Sequence, residues 1–147
     1  MSSIDPIFTT LKQFEEQRQR YEQQIGQQFG LNRADVRLLS FLTDAQLTIT
    51  DLHHLTGLDI STLSRQLTAL TRKKLLQKQS DQHDRRKRIF ILTELGRTQF
   101  QHFHQATAEL EQAILANWPA DEQQLLKVLL KRLVSSTQRL APTMVGK

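Results

Sequence analysis

Two stretches of this 147-residue chain carry side chains whose types and spacing could do chemistry. The first, STLSRQ at 61 to 66, sets the hydroxyls of Ser61, Thr62 and Ser64 beside the guanidinium of Arg65 and the amide of Gln66. The second, SDQHDRRKRIFILT at 80 to 93, packs four consecutive cations, Arg85 to Arg88, against an apolar segment. A guanidinium can pair bidentately with a guanine edge, and hydroxyls suit phosphate or thymine contacts. Lys73, Lys74 and Lys78, with Arg85 and Arg88, suit phosphates whatever the base sequence. Taken singly, Ser61 reads equally well as a helix cap and Arg65 as a solvated side chain.

Other chemistries find no support. The chain has no cysteine, which excludes disulfides, thiolate-ligated zinc and thiol redox switching. His102 and His104 diverge by about 200° on a helix, and His53 and His54 by about 100°. Neither pair has ligand spacing, so no metal and no cofactor is expected. His83 is expected to be exposed or beside a phosphate. No nucleophile with an adjacent base, no carboxylate pair on one face and no glycine-rich phosphate loop occurs, so an enzyme is not expected.

Charge points the same way as the first two stretches. The formal charge is +5 overall. Residues 61 to 88 hold nine Lys or Arg against two Asp, leaving the rest of the chain slightly acidic. Such a segment is either a solvated face or the footprint of a polyanion, nucleic acid being the commonest. Apolar runs such as IFIL at 89 to 92 and LLKVLLKRLV at 125 to 134 are short or interrupted by cations. With no apolar signal-peptide core at the N-terminus, a cytoplasmic protein without membrane contact is expected.

These side chains need elements to hold them. Residues 4 to 29 repeat apolar groups at Ile7, Leu11, Phe14, Tyr21 and Ile25, the period of a long amphipathic helix stopped at Gly30. Asn32 caps a short buried helix over 32 to 43. Thr48 and Asp51 form a capping-box pattern for ITDLHHLT, which Gly57 ends. Asp59 or Ser61 caps a helix over about 60 to 74, with Leu63, Leu67 and Leu70 inward and Arg65, Gln66, Arg72, Lys73 and Lys74 outward. LLQKQS and RIFILT read as the strands of a hairpin around DQHDRRK. Thr93 caps a helix to about Asn117, Trp118 and Pro119 break it, and a last helix spans roughly 121 to 140. Two short helices about a glycine turn make a helix-turn-helix, and 32 to 93 together make a winged helix-turn-helix. The fold class is mainly α with a small β-hairpin wing.

The run LTGLDISTLSRQLTALTRKKLLQKQSDQHDRRKRIFILTELG, Leu55 to Gly96, resembles the core of the MarR family of bacterial transcriptional regulators. The specific pieces are STLSRQLTAL, the DRR of Asp84 to Arg86, and LTELG. The resemblance implies a homodimer in which residues 1–30 and 93–147 form a helical dimerisation region and 31–92 the winged DNA-binding domain. It implies that Arg86 enters a minor groove from the wing tip while Asp84 helps to hold the loop. Narrow A·T-rich grooves favour arginine independently, through their negative potential. It further implies a small-molecule effector in a crevice between the dimerisation helices and the winged domain. Tyr21, Phe29, Phe41 and His102 stand on elements that could line such a crevice, or they are ordinary core. Two positions depart from the family pattern: Lys74 stands where glycine is usual, and His53 where a small residue lets two helices approach.

The function expected is a sequence-specific DNA-binding regulator, a repressor released by an effector, with double-stranded DNA bearing a pseudo-palindromic operator as its partner. The alternative is a winged-helix protein-interaction module or an architectural DNA-binding protein without sequence preference.

Overall fold

The structure, a computed structural model, describes residues 5–140, so the outermost parts of the expected helical region, 1–4 and 141–147, lie outside it. The chain divides into two compact units, up to Thr107 and from Ala108.

The first unit opens with α1 (Asp5–Gln28) and α2 (Arg33–Leu42). Gly30, at φ 68°, takes the left-handed conformation that ends α1. Asn32 and Asp35 cap α2 reciprocally, each side chain accepting the other's backbone N–H at 2.8 and 3.0 Å. A strand of two residues, β1 (Leu47–Thr48), leads into α3 (Ile49–Thr56) through the predicted Thr48–Asp51 capping box. Gly57, at φ 74°, closes α3 and turns the chain into α4 (Ile60–Arg72). The hairpin follows as β2 (Leu76–Ser80) and β3 (Arg88–Leu92), antiparallel, with Leu76 opposite Leu92 and Ser80 opposite Arg88. β1 adds to the far edge of β3, so the expected hairpin is part of a three-stranded sheet in the order β1-β3-β2. Nothing in the alternation of side chains announces a strand so short.

α4 ends without the glycine usual to its pattern. Lys74 adopts φ 65° itself. Its N–H bonds to the Thr71 carbonyl at 2.9 Å, and the Leu75 N–H bonds to the Leu70 carbonyl at 3.0 Å. These are the two bonds of a Schellman closure, and buried Leu70 and Leu75 supply its apolar contact. The conformation costs an L-residue about 1–2 kcal/mol, which the closure and the leucine packing offset.

The core gathers leucines from α2, α3 and α4. Leu38, Leu39, Leu52, Leu63, Leu67 and Leu70 are at most 1% exposed. Truncating any of them to alanine is worth about 2–5 kcal/mol. Their spacing in α4 places Leu63, Leu67 and Leu70 on one stripe, and the opposite face of that helix is exposed.

The sheet hands over to α5 (Glu94–Leu115). Thr93 caps it as predicted, accepting the Gly96 N–H at 3.0 Å while its hydroxyl donates to the Lys74 carbonyl at 2.6 Å. The glycine of LTELG has a packing reason: a Cβ on Gly96 would stand 2.1 Å from the Leu75 carbonyl oxygen. Phe100 and Phe103 are buried from α5 into the core.

The second unit holds the end of α5 and α6 (Ala120–Gln138), joined through Trp118 and Pro119. The Gln123 amide donates to the Leu115 and Trp118 carbonyls at 3.3 and 3.0 Å, tying the joint. Asp121 and Glu122 occupy the first turn of α6, where the helix dipole favours them. None of its apolar residues is buried: Leu125, Val128, Leu129, Leu130 and Val134 are all exposed.

Among the described residues no helix is long and apolar enough to cross a membrane.

Candidate nucleic-acid interface

The site is built on the α3-turn-α4 unit and the β2-β3 wing. The turn between the helices is braced by His53, whose Nδ1 donates to the Leu58 carbonyl at 2.6 Å. A carbonyl only accepts, so the proton resides on Nδ1. The imidazole is half-buried, and its bond across the turn is how a residue larger than the usual one is accommodated. The Leu58 N–H in turn donates to the Thr56 hydroxyl at 3.1 Å.

At 100° per residue, Ser64, Arg65, Thr68, Ala69 and Arg72 share the face of α4 opposite the leucine stripe, and all five are exposed. Arg65 stands over a shallow hollow lined by Ser64, Thr68, Ala69 and Arg72. Its Nη2 lies 3.4 Å from the Thr62 hydroxyl, leaving most of the guanidinium available. Gln66 differs from its expected outward place. It sits beside the Leu63–Leu70 stripe, half-buried, with Oε1 enclosed and without a hydrogen-bond partner. The Ser61 hydroxyl donates to Asp59 Oδ2 at 2.6 Å, and with Thr62 it holds the Asp59 carboxyl below the usual carboxylate range. Ser61 is thereby a helix-entry residue, and Asp59 is the N-cap.

The wing is held by its own aspartates. Asp81 Oδ1 accepts the His83 N–H at 3.0 Å, and Asp84 Oδ1 accepts the Arg86 N–H at 3.1 Å and Arg86 Nε at 3.4 Å. The Lys87 N–H closes the tip on the Asp84 carbonyl at 3.0 Å. Arg88 is fixed across the strands, donating to the Ser80 hydroxyl at 2.5 Å and the Arg85 carbonyl at 3.2 Å. The Arg86 side chain is 93% exposed. The tip is thus held in its backbone and at the root of the guanidinium, which stays exposed, and Arg85 is exposed beside it.

Between α4 and the wing lies a cleft of about 690 Å³. Arg72, Lys78, Arg86, Lys87 and Arg88 line it, with no carboxylate among the lining residues, and Thr48, Thr50, Ser64, Thr68 and Thr71 supply hydroxyls. Cations and hydroxyls converging on an open cleft can hold a phosphodiester backbone. The cleft therefore gathers Ser64, Lys78, Arg86 and Arg88 from the sequence-predicted set. It adds Thr50, Thr68, Arg72 and Lys87. Thr68 and Arg72 were accessible to sequence reasoning, lying four and eight residues beyond Ser64 on one helical face. The contribution of Thr50, at the start of α3, had no such signal.

Lys73 is occupied elsewhere. Its Nζ donates to the Gly30 carbonyl at 3.1 Å and to Asp35 Oδ2 at 3.3 Å, so its ammonium is tied to the joint between α1 and α2 instead of to the cleft. Lys73 follows Arg72 in right-handed helical conformation, about 100° further around α4, so the two cations leave the helix in different directions.

Of the aromatic set, the rings of Phe29 and His102 meet at 5.9 Å between centroids. Phe41 packs on the core from α2, and Tyr21 is half exposed on α1. His104 turns instead to Phe100, edge to face at 4.4 Å, so the two histidines of α5 part as their spacing requires. Among the described residues no three His, Asp or Glu side chains gather to hold a metal ion.

The MarR family model matches residues 29–87, which include the helix-turn-helix and most of the wing. YxaD of Bacillus subtilis, described as an uncharacterized HTH-type transcriptional regulator, is 38% identical over 76 residues. Those residues are 52% of this chain and 53% of YxaD, so the chain spans about half the length of that relative. The fold is similar to that of YusO from B. subtilis, at 16% identity and a TM-score of 0.82 over 92% of this chain and 99% of that one. It is also similar to a point mutant of S. aureus MepR bound to an oligodeoxyribonucleotide, at 22% identity and a TM-score of 0.72 over 93% and 99%.

Proposed function

We propose that this chain, a member of the MarR family through its winged segment at residues 29–87, is a homodimeric, sequence-specific DNA-binding transcriptional regulator. In this reading it is a repressor in the cytoplasm that a small-molecule effector releases. The observation that carries the reading is the cleft between α4 and the wing, lined by five cations and no carboxylate, with the Arg86 side chain exposed at its edge. α4 is narrow enough to enter a major groove, where Arg65 and Ser64 meet base edges. Arg86 then lies toward the adjacent minor groove, and Lys78, Lys87 and Arg88 toward phosphates.

Dimerisation is supported by apolar surface that α1 and α6 each leave exposed. On α1 it is Ile7, Phe8, Phe14 and Tyr21, and on α6 it is Leu125, Val128, Leu129, Leu130 and Val134. Exposed apolar residues repeated along a helix, as on each of these two taken by itself, are what an association face offers. A twofold dimer presents two α4 helices to half-sites about 34–36 Å apart. That the structurally similar MepR mutant was solved with an oligodeoxyribonucleotide is in keeping with a DNA partner.

Release by an effector requires only a preference for the spacing that does not fit DNA, and about 1.4 kcal/mol of differential binding shifts affinity tenfold. The meeting of Phe29 from the end of α1 with His102 from α5 is the best-placed aromatic contact for such a ligand. The test is selection of bound duplexes from a randomised pool. A regulator of this kind enriches a sequence with twofold symmetry, whereas an unenriched pool sinks the sequence-specific reading and absence of binding sinks any DNA reading.

A further inference from the structure

The half-exposed ammonium of Lys73 joins three helix termini. Lys73 is itself the C-cap of α4. One of its partners is the carbonyl of Gly30, the residue that closes α1, 3.1 Å away. The other is Oδ2 of Asp35, 3.3 Å away, in the capping box that opens α2. These partners are 43 and 38 residues distant in sequence. The Asp35 side chain is 6% exposed, and the same Oδ2 accepts the Asn32 N–H at 3.0 Å, so the carboxylate has a fixed orientation before Lys73 reaches it. A cation beside the last carbonyls of α1 is also favoured by that helix's dipole.

We propose that Lys73 is a positioning residue for DNA recognition, clasping the C-terminal end of α4 to the α1–α2 joint and so fixing the pose in which α4 meets the groove. This rests on the DNA-binding reading and gives Lys73 a task distinct from that of the cleft cations. Core leucines hold α4 against α2 along its buried stripe, which Leu70 continues into the last turn. The clasp adds a polar tie at the same end, with one charged donor and two acceptors, one of them a buried carboxylate.

The two roles open to Lys73 make opposite forecasts for Asp35. A phosphate-contacting Lys73 would leave Asp35→Asn neutral or tighter binding, because a negative charge is removed from a protein that binds a polyanion. A clasp makes the same substitution weaken binding. The experiment measures affinity for one selected duplex by fluorescence anisotropy at several salt concentrations. It compares wild type with Lys73→Met, Lys73→Arg, Asp35→Asn and the Met/Asn double variant, with thermal melts to establish that each is folded at the assay temperature.

The clasp predicts that Lys73→Met and Asp35→Asn each weaken binding by about five- to tenfold without changing the salt slope. Lys73→Arg, which can reach both acceptors, recovers most of the loss, and the double variant is no weaker than the poorer single one. A fall of about 0.9 in the salt slope for Lys73→Met would make it a phosphate contact and overturn the proposal. So would undiminished binding by Asp35→Asn; should that variant fail to fold, the slope and the arginine rescue at Lys73 decide. Wild-type protein that binds no duplex sinks the regulator reading and the clasp with it, whereas wild-type binding with unmoved variants overturns the clasp alone.

Discussion

Asp84 Oδ1 accepts two hydrogen bonds from Arg86, one from the backbone N–H at 3.1 Å and one from Nε at 3.4 Å. The same carboxylate therefore fixes the bend of the wing tip and the root of a guanidinium that stays 93% exposed. Pre-ordering an otherwise free cation lowers the entropy lost when it enters a groove.

Arg86→Ala should accordingly weaken binding by about tenfold to duplexes with A·T-rich flanks and much less to G·C-rich flanks. Asp84→Ala should give a smaller loss with the same flank dependence, since the arginine remains but its root is loosened. Paired anisotropy titrations on the two flank types measure this. An equal loss on both types would assign Arg86 to phosphate instead.

Arg65 and Ser61 should separate cleanly, although they lie four residues apart on one helix. Arg65 keeps most of its guanidinium available over the open face of α4, whereas the Ser61 hydroxyl is spent on Asp59. Arg65→Ala should relax base preference at one position per half-site, worth about 1–3 kcal/mol there, while Ser61→Ala leaves the selected sequence unchanged. Site selection with each variant reads both outcomes.

Much of this geometry was legible beforehand, for local reasons. Gly30 and Gly57 end helices because φ near +70° suits glycine, Asn32 is a ready cap for α2, and the Thr48–Asp51 pair sits at the spacing at which two backbone N–H groups are capped reciprocally. What escaped depends on partners distant in the chain. β1 is two residues held by β3, and Lys73 meets Gly30 and Asp35, 43 and 38 residues away in sequence. Gln66 lies at the margin of the leucine stripe, where helical periodicity distinguishes inside from outside least well.

Lys74 offers a stability test independent of DNA. Because it occupies φ 65° with the bonding of a Schellman closure, Lys74→Gly relieves the left-handed strain. The substitution should raise stability by about 1 kcal/mol, a shift of roughly 2–4 °C in the thermal midpoint. A lower midpoint would mean that the Lys74 side chain contributes more than its backbone costs.

The cap of α3 gives a pH dependence. The Thr48 backbone N–H, which donates to Asp51 Oδ2 at 3.0 Å, and then the Thr48 side chain hold the Asp51 carboxyl below its ordinary range. A folded-state pKa below the unfolded one means that the contribution is complete above about pH 4 and is lost as the pH falls through the lower folded value. Asp51→Asn should therefore be less stable than wild type at neutral pH, with the gap closing below about pH 4. Thr48→Ala should cost about 1 kcal/mol at neutral pH. Thermal melts across that range check both, and a gap that persisted in acid would place the effect outside Asp51 ionisation.

The most direct test of the central claim is a titration of the wild-type chain against its selected palindrome and against a scrambled duplex of the same composition, at several salt concentrations. A sequence-specific regulator binds the palindrome at least about 10³-fold more tightly, with one dimer per duplex and a salt slope near −0.9 for each phosphate neutralised. Equal affinity for the two duplexes at every salt concentration would contradict it.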